Sequence, residues 1–184
     1  GDDDGGSAAG SVYILFLKTD GLVDSAQKIG ALYGGLSAFY TPATSDLFGF
    51  GCGSLGDLDS DGVPDLAVTA YGDDDATSAS GCVYILYLSS EGTVKMAQKI
   101  SNFYGNMPYD LAASDYFGYG RSIGAADLDA DGITDLAVGA PLDDDGGSDA
   151  GAIYIVFLTT AGTVKSAQKI SNSYGNFPYT LDTS

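Results

Sequence analysis

The sequence predicts an all-β protein made of about two and a half tandem repeats, each folding as a four-stranded antiparallel sheet. Three observations lead to this fold class. The 184-residue chain repeats itself throughout. Short runs of β-branched and aromatic residues alternate with segments rich in Gly and Asp, which is the pattern of strands and turns. The 27 glycines favour tight turns over helices.

One half of the repeat occurs three times. Its apolar run lies at 12–17, 83–88 and 153–158. Each copy is followed by Ala-Gln-Lys-Ile, ending at Ile29, Ile100 and Ile170, which are 71 and 70 residues apart. Each copy is preceded by three aspartates, at 2–4, 73–75 and 143–145. We predict that the apolar run is the third strand of a sheet and that Gln-Lys-Ile ends the fourth. Hairpin turns are expected between them at Asp20-Gly21, Glu91-Gly92 and Ala161-Gly162.

The other half of the repeat occurs twice. It runs from Phe48-Gly49 or Phe117-Gly118, through an acidic loop, to a Leu-Ala-Val segment. We predict that the first strand carries Phe-Gly and the residues after it, and that Leu-Ala-Val is the second strand. The expected units are therefore a half repeat at 1–45 and full repeats at 46–114 and 115–184. A four-stranded antiparallel unit of this size corresponds to one blade of a β-propeller.

The acidic loop has the spacing of a calcium-binding loop, Asp-x-Asp-x-Asp-Gly-x-x-Asp. Calcium takes about six to eight oxygen ligands, and side chains at alternate loop positions can surround one ion while glycine permits the sharp turn. Val68 and Val138 stand where an EF-hand needs glutamate, so this is a different kind of loop. We expect two calcium sites. Their ligands are Asp57, Asp59, Asp61, Val63 and Asp65, and Asp127, Asp129, Asp131, Ile133 and Asp135. The alternative is an acidic, solvated turn.

The combination of Phe-Gly, the acidic loop and Leu-Ala-Val-Gly-Ala-Pro at 136–141 resembles the FG-GAP repeat of integrin-α propellers and their microbial relatives. The resemblance covers essentially the whole chain. It implies that each repeat builds a propeller blade and that the loop aspartates hold calcium. The first full repeat departs from the motif, because Thr69 and Tyr71 replace its second glycine and its proline. That change leaves the acidic loop intact.

Composition excludes several classes of function. The chain has 25 acidic and 7 basic residues, no histidine, and a formal net charge of −18. Such a surface repels nucleic acid and anionic membranes, so neither is an expected partner. No apolar run is long enough to insert into a bilayer. With Glu91 as the one glutamate and Arg121 as the one arginine, the usual catalytic pairings cannot be assembled, and we expect no enzyme.

For three features the sequence leaves two interpretations open. The triple aspartates are hydrated turns, which we favour, or a second, weaker cation site. The near-identical linkers 104–109 and 174–179 either pack between blades or present aromatic rings to a sugar or a protein. Cys52 and Cys82 either form a disulfide in an extracellular setting or remain two free thiols.

The expected function is that of a non-enzymatic, calcium-binding structural or adhesive protein, secreted or at the cell surface. It assembles with copies of itself, possible forms including a filament, or belongs to a longer array. The alternative, implied by the resemblance to integrin heads, is a module that binds a protein or glycan ligand. Propellers need about four blades to close, so two and a half leave sheet edges for another segment to cover. The chain has no initiator Met or signal peptide, and we expect a mature form or a piece of something longer.

Overall fold

A computed structural model describes residues 2–121 and 123–183, and strands dominate its regular structure. The described residues form ten strands: β1 (Ser11–Leu17), β2 (Val23–Gly30), β3 (Cys52–Gly56), β4 (Asp65–Ala70), β5 (Cys82–Leu88), β6 (Val94–Ile100), β7 (Ile123–Ala126), β8 (Asp135–Ala140), β9 (Ala152–Leu158) and β10 (Val164–Ile170). Two 3-10 turns lie at Leu36–Ala38 and Tyr119–Arg121. None of the helical segments in the described chain has the length and apolar character needed to cross a membrane.

The strands form three antiparallel sheets that follow the order of the chain. β1 pairs with β2, β3 to β6 form a four-stranded sheet, and β7 to β10 form another. The two larger sheets share the same register, since Leu66 lies opposite Leu86 and Leu136 opposite Val156. The prediction of an all-β fold of four-stranded antiparallel blades is confirmed. The first sheet contains the third and fourth strands of a blade.

The hairpins between the third and fourth strands turn at glycine, as predicted. Gly21, Gly92 and Gly162 have φ values of +84°, +75° and +71°, which glycine adopts at little cost. Each of their amides donates a hydrogen bond to the carbonyl three residues earlier, at 2.9–3.0 Å. These turns set the register in which the third and fourth strands pair.

The core lies between neighbouring sheets. One face of β5, with Tyr84, Leu86 and Leu88, packs against apolar side chains of β1. The opposite face, with Val83, Ile85 and Tyr87, packs against the third sheet. All seven residues of β5 are therefore buried. β5 has a neighbouring sheet on each side and leaves neither of its apolar faces in water.

The prediction that Phe-Gly belongs to the first strand of each blade is wrong. The first strands begin later, at Cys52 and Ile123. Gly49 and Gly118 have φ values of +86° and +90°, which a β-strand does not accommodate. Phe-Gly instead forms a bend that leads into the strand.

The phenylalanine of this bend fastens one blade to the one before it. Phe48 and Phe117 are buried, and their backbones form parallel bridges with Gly10 and Gly81, which directly precede β1 and β5. The approach is so close that a Cβ atom at Gly81 would lie 2.3 Å from the Phe117 carbonyl oxygen. Glycine is therefore required on one side of each contact.

The two cysteines are free thiols, and the disulfide interpretation is wrong. Cys52 lies exposed on β3 and Cys82 is buried on β5, with β4 between them. Two strand spacings amount to about 9–10 Å. A disulfide requires Cα atoms within about 7 Å of each other, so the intervening strand keeps the thiols apart.

Candidate metal centres

The first acidic loop joins β3 to β4 and is folded around Asp57. Its carboxylate accepts hydrogen bonds from the Asp61 amide, at 2.9 Å to Oδ1, and from the Gly62 amide, at 2.8 Å to Oδ2. Gly62 has a φ of +90°, which allows the chain to turn back at this point. The Val63 amide donates to Asp61 Oδ1 at 2.9 Å and so continues the same turn.

Three of the predicted ligands come together in this loop. Asp57, Asp59 and Asp61 are exposed, and each offers a carboxylate oxygen within 4.8 Å of the others. The ammonium group of Lys95, on β6, lies 2.8 Å from Asp59 Oδ2 and also contacts Asp61. The hydrogen bond from Lys95 is the main reason why the pKa of Asp61 is lowered. The sequence analysis did not predict that a lysine of another strand reaches these carboxylates.

Asp65, the last predicted carboxylate, has a different setting. It is buried, and both of its oxygens accept backbone amides, from Leu58 at 2.9 Å and from Leu88 at 3.0 Å. Burial raises its pKa, although the two hydrogen bonds oppose the shift. Asp65 therefore ties the start of the loop to the end of β5 and stands apart from the exposed group of three.

The second acidic loop, between β7 and β8, repeats this fold. Asp127 accepts the amides of Asp131, at 3.1 Å, and Gly132, at 3.0 Å. The Lys165 ammonium lies 2.7 Å from Asp129 Oδ2 and also contacts Asp131. The hydrogen bond from Lys165 is again the main cause of a lowered pKa, here that of Asp131.

The two loops differ in which carboxylate completes the cluster. In the second loop the oxygens within 4.8 Å of one another belong to Asp127, Asp129 and Asp135. Asp135 is fully buried and accepts the amides of Leu128, at 2.9 Å, and Leu158, at 3.0 Å. The Ile133 amide donates to Asp131 Oδ1 at 2.9 Å. The structure thus gathers three predicted carboxylates in each loop.

The chemistry of both loops fits a calcium ion. Beside the one lysine ammonium, the side chains gathered at each cluster offer carboxylate oxygens, the hard ligands that calcium prefers. Four aspartates and one lysine leave a formal charge of −4 + 1 = −3 on each loop. Carboxylates this close repel one another unless a cation compensates them. The ten predicted ligands remain a prediction.

The triple aspartates have a partner that the sequence analysis missed. Lys99, a buried residue of β6, places its ammonium 2.5 Å from Asp73 and 2.5 Å from Asp75. The other two copies are paired in the same way, through Lys28 with Asp2 and Asp4 and through Lys169 with Asp143 and Asp145. A signal was present, because every triple aspartate is accompanied by an Ala-Gln-Lys-Ile segment. In each of these turns a lysine ammonium supplies the positive charge that compensates two of the aspartates.

The tyrosine-rich linkers contribute to packing between blades. Tyr109 meets Tyr154 of the next sheet edge to face, with ring centroids 5.7 Å apart. Tyr40 and Tyr84 form the corresponding contact one blade earlier, at 5.8 Å. Tyr179, in the last linker, is 75% exposed. The linkers therefore pack between blades wherever a following blade is present.

Comparison with known proteins agrees with this geometry. The family model of the FG-GAP repeat matches residues 53–86 and 119–156, which run from the first to the third strand of each complete blade. Human integrin alpha-10 is 39% identical over 101 residues, and human integrin alpha-7 is 37% identical over 125 residues. These matches cover 54% and 66% of this chain but only 8% and 9% of the two integrins.

Each matched segment lies within one of the four-stranded sheets and contains its acidic loop. The chain therefore contains two FG-GAP repeats, one in each of its complete blades.

Proposed function

We propose that this chain is a calcium-binding, non-enzymatic module of a secreted or cell-surface protein, with an adhesive or ligand-binding role. The observation that carries the proposal is the cluster of three carboxylates in each acidic loop. The similarity to two integrin α chains supports an extracellular binding module over an enzyme.

In this proposal Asp57, Asp59 and Asp61 hold one ion, together with the Val63 carbonyl and Asp65. The matching residues of the second loop are Asp127, Asp129, Asp131, Ile133 and Asp135. Calcium supplies the positive charge that these carboxylates need. Because Asp65 and Asp135 also bind the amides of Leu88 and Leu158, an ion in the loop stiffens the edge of the blade.

Removal of calcium is expected to lower the melting temperature, since an ion that binds only the folded state stabilises it by mass action. Isothermal titration of the chelated protein with calcium should show two sites. Asp59→Asn and Asp129→Asn should each abolish or greatly weaken one site. Asp110→Asn, at an exposed aspartate of a linker, is the matched control and should retain both. Wild-type protein that neither binds calcium nor melts higher in its presence would contradict the proposal.

A structural role in an assembly of copies is a second candidate. It is favoured by the apolar side chains exposed on the first sheet, where Tyr13, Leu15 and Leu17 are 55%, 52% and 60% exposed. In the complete blades the corresponding residues are buried between sheets.

A further inference from the structure

The contact between successive blades contains a backbone hydrogen bond that occurs twice. The Val94 amide donates to the Gly34 carbonyl at 2.7 Å, and the Val164 amide donates to the Gly105 carbonyl at 2.8 Å. In each case the fourth strand of one blade binds the linker of the blade before it. The equivalent donor in the first hairpin is Val23, and the equivalent acceptor in the last linker is Gly175. Neither belongs to the two bonds described.

An aromatic contact also occurs twice at this interface. The pairs Tyr40–Tyr84 and Tyr109–Tyr154 meet edge to face, with interplanar angles of 66° and 70°. The remaining members of the series are Tyr13, in the first sheet, and Tyr179, in the last linker. They lie at opposite ends of the array and are 55% and 75% exposed.

The hairpin glycine supplies a third repeated contact. A Cβ atom at Gly92 would lie 3.2 Å from Ile14 and Phe16 of the preceding blade. At Gly162 it would lie 3.0 Å from Ile85 and 2.9 Å from the Tyr87 hydroxyl.

The first and last blades each present one half of this third contact. Gly21 has no neighbour within 4 Å. Ile155 and Phe157, which match Ile85 and Tyr87, are only partly buried. Each repeated contact therefore leaves one partner in the first hairpin and the other on the last sheet or in the linker that follows it.

We infer that the last blade of one copy binds the first sheet of a second copy, head to tail, by the same contacts that join blades within the chain. The head surface comprises Tyr13, Leu15, Leu17 and Val23. The tail surface comprises Ile153, Ile155, Phe157 and Tyr179. In the docked pair the Val23 amide of one copy donates to the Gly175 carbonyl of the other, and Tyr13 packs against Tyr179. This inference rests on the second candidate function and names its surfaces.

The two surfaces differ, so the contact is heterologous and each dimer keeps one free head and one free tail. Such contacts propagate into a filament unless rotation closes a ring. Each copy carries a net charge of −18, which opposes association. We therefore expect the association to strengthen with ionic strength as the repulsion is screened.

Sedimentation velocity over a range of protein concentrations, in calcium and at raised salt, tests the inference. Wild-type protein should show an average mass that rises with concentration. Leu15→Asp blocks the head and Phe157→Asp blocks the tail, and either change should raise the dissociation constant roughly 100-fold by burying an unpaired charge. Phe103→Asp is the control, because Phe103 is 69% exposed between two flanking blades.

An equimolar mixture of the two blocked variants provides the decisive arm. One variant retains a tail and the other a head, so the mixture should form a dimer and nothing larger. A wild-type monomer at all concentrations, self-association of either blocked variant, or failure of the mixture to dimerise would overturn the inference. If Phe157→Asp does not fold, Tyr179→Asp replaces it on the exposed ring. The calcium-dependent melting shift, measured on every variant, reports separately on the metal loops.

Discussion

Individual charged residues show how this acidic chain compensates its carboxylates. Each of the lysines at 28, 95, 99, 165 and 169 binds two aspartates, and Lys18 lies 3.7 Å from Asp24. The acidic loops and the glycines at their turns could be predicted from sequence, because loop chemistry is local. Their pairing with Lys95 and Lys165 could not, since those lysines lie more than 30 residues away and only the sheet brings them close.

Lys95 and calcium should compete for the same oxygens. Its ammonium contacts Asp59 and Asp61, which we predict to be calcium ligands. Lys95→Gln is therefore expected to tighten calcium binding at the first loop by about tenfold, the effect of roughly 1.4 kcal/mol of removed repulsion. Isothermal titration measures the change, and Lys18→Gln is the matched control. Unchanged or weaker binding in Lys95→Gln would argue that the lysine supports the ion instead.

Two buried aspartates should make stability depend on pH. Burial raises the pKa of Asp46 and of Asp115 to about 6, from 3.8, against the opposing hydrogen bonds of the Ala43 and Ala112 amides. A carboxyl with a raised folded-state pKa adds stability below its unfolded pKa and loses it as pH rises through about 6.

Replacing these carboxyls by neutral amides should therefore raise the free energy of unfolding most above pH 6. The double variant Asp46→Asn/Asp115→Asn is expected to gain stability relative to wild type between pH 5 and pH 7.5, by on the order of 1 kcal/mol per site. Urea denaturation at both pH values, in saturating calcium, gives the difference. Asp110→Asn should show no such change, and equal behaviour of the two variants would refute the assignment.

At the scale of elements, strand order and hairpins follow from periodicity, whereas the Phe-Gly bend does not. β5 and β9 are both continuous apolar runs. β5, which has a neighbouring sheet on each face, is buried along its whole length, whereas alternate residues of β9 stay partly exposed. Phe-Gly looks like the start of a strand because phenylalanine favours sheets. The tertiary contact with Gly10 or Gly81 decides otherwise, and no local pattern reports that approach.

Alanine at Gly81 should disrupt the joint between the two complete blades. The new Cβ would meet the Phe117 carbonyl at 2.3 Å, in addition to the strain of a φ of +83°. We expect a loss of about 3 kcal/mol or more in the free energy of unfolding. Gly21→Ala is the matched control, since its φ is +84° and nothing lies within 4 Å, so it should cost only about 1 kcal/mol in dilute protein.

Chemical denaturation of both variants gives the comparison. A Gly81→Ala protein as stable as Gly21→Ala would mean that the bend at Phe117 is not a fixed joint.

At the scale of the whole molecule, the number of repeats and the acidic character could be predicted from the sequence. Which apolar side chains are covered by a neighbouring sheet, and which are exposed, could not. Ile14 and Leu15 have similar hydrophobicity, yet Ile14 packs against the next sheet and Leu15 is 52% exposed. The alternation along β1 tells which residues share a face. It does not tell which face is covered.

The burial of β5 on both faces has a consequence for how the molecule comes apart. Within residues 2–121 and 123–183, the buried apolar clusters join each sheet to the next one along the chain, so the array behaves as a one-dimensional series of units held together at the junctions between sheets. The middle sheet has two junctions, and the first and last have one each within the chain. Opening therefore begins at the ends and reaches the centre last, which makes the amides of β5 the slowest to exchange their hydrogens with water.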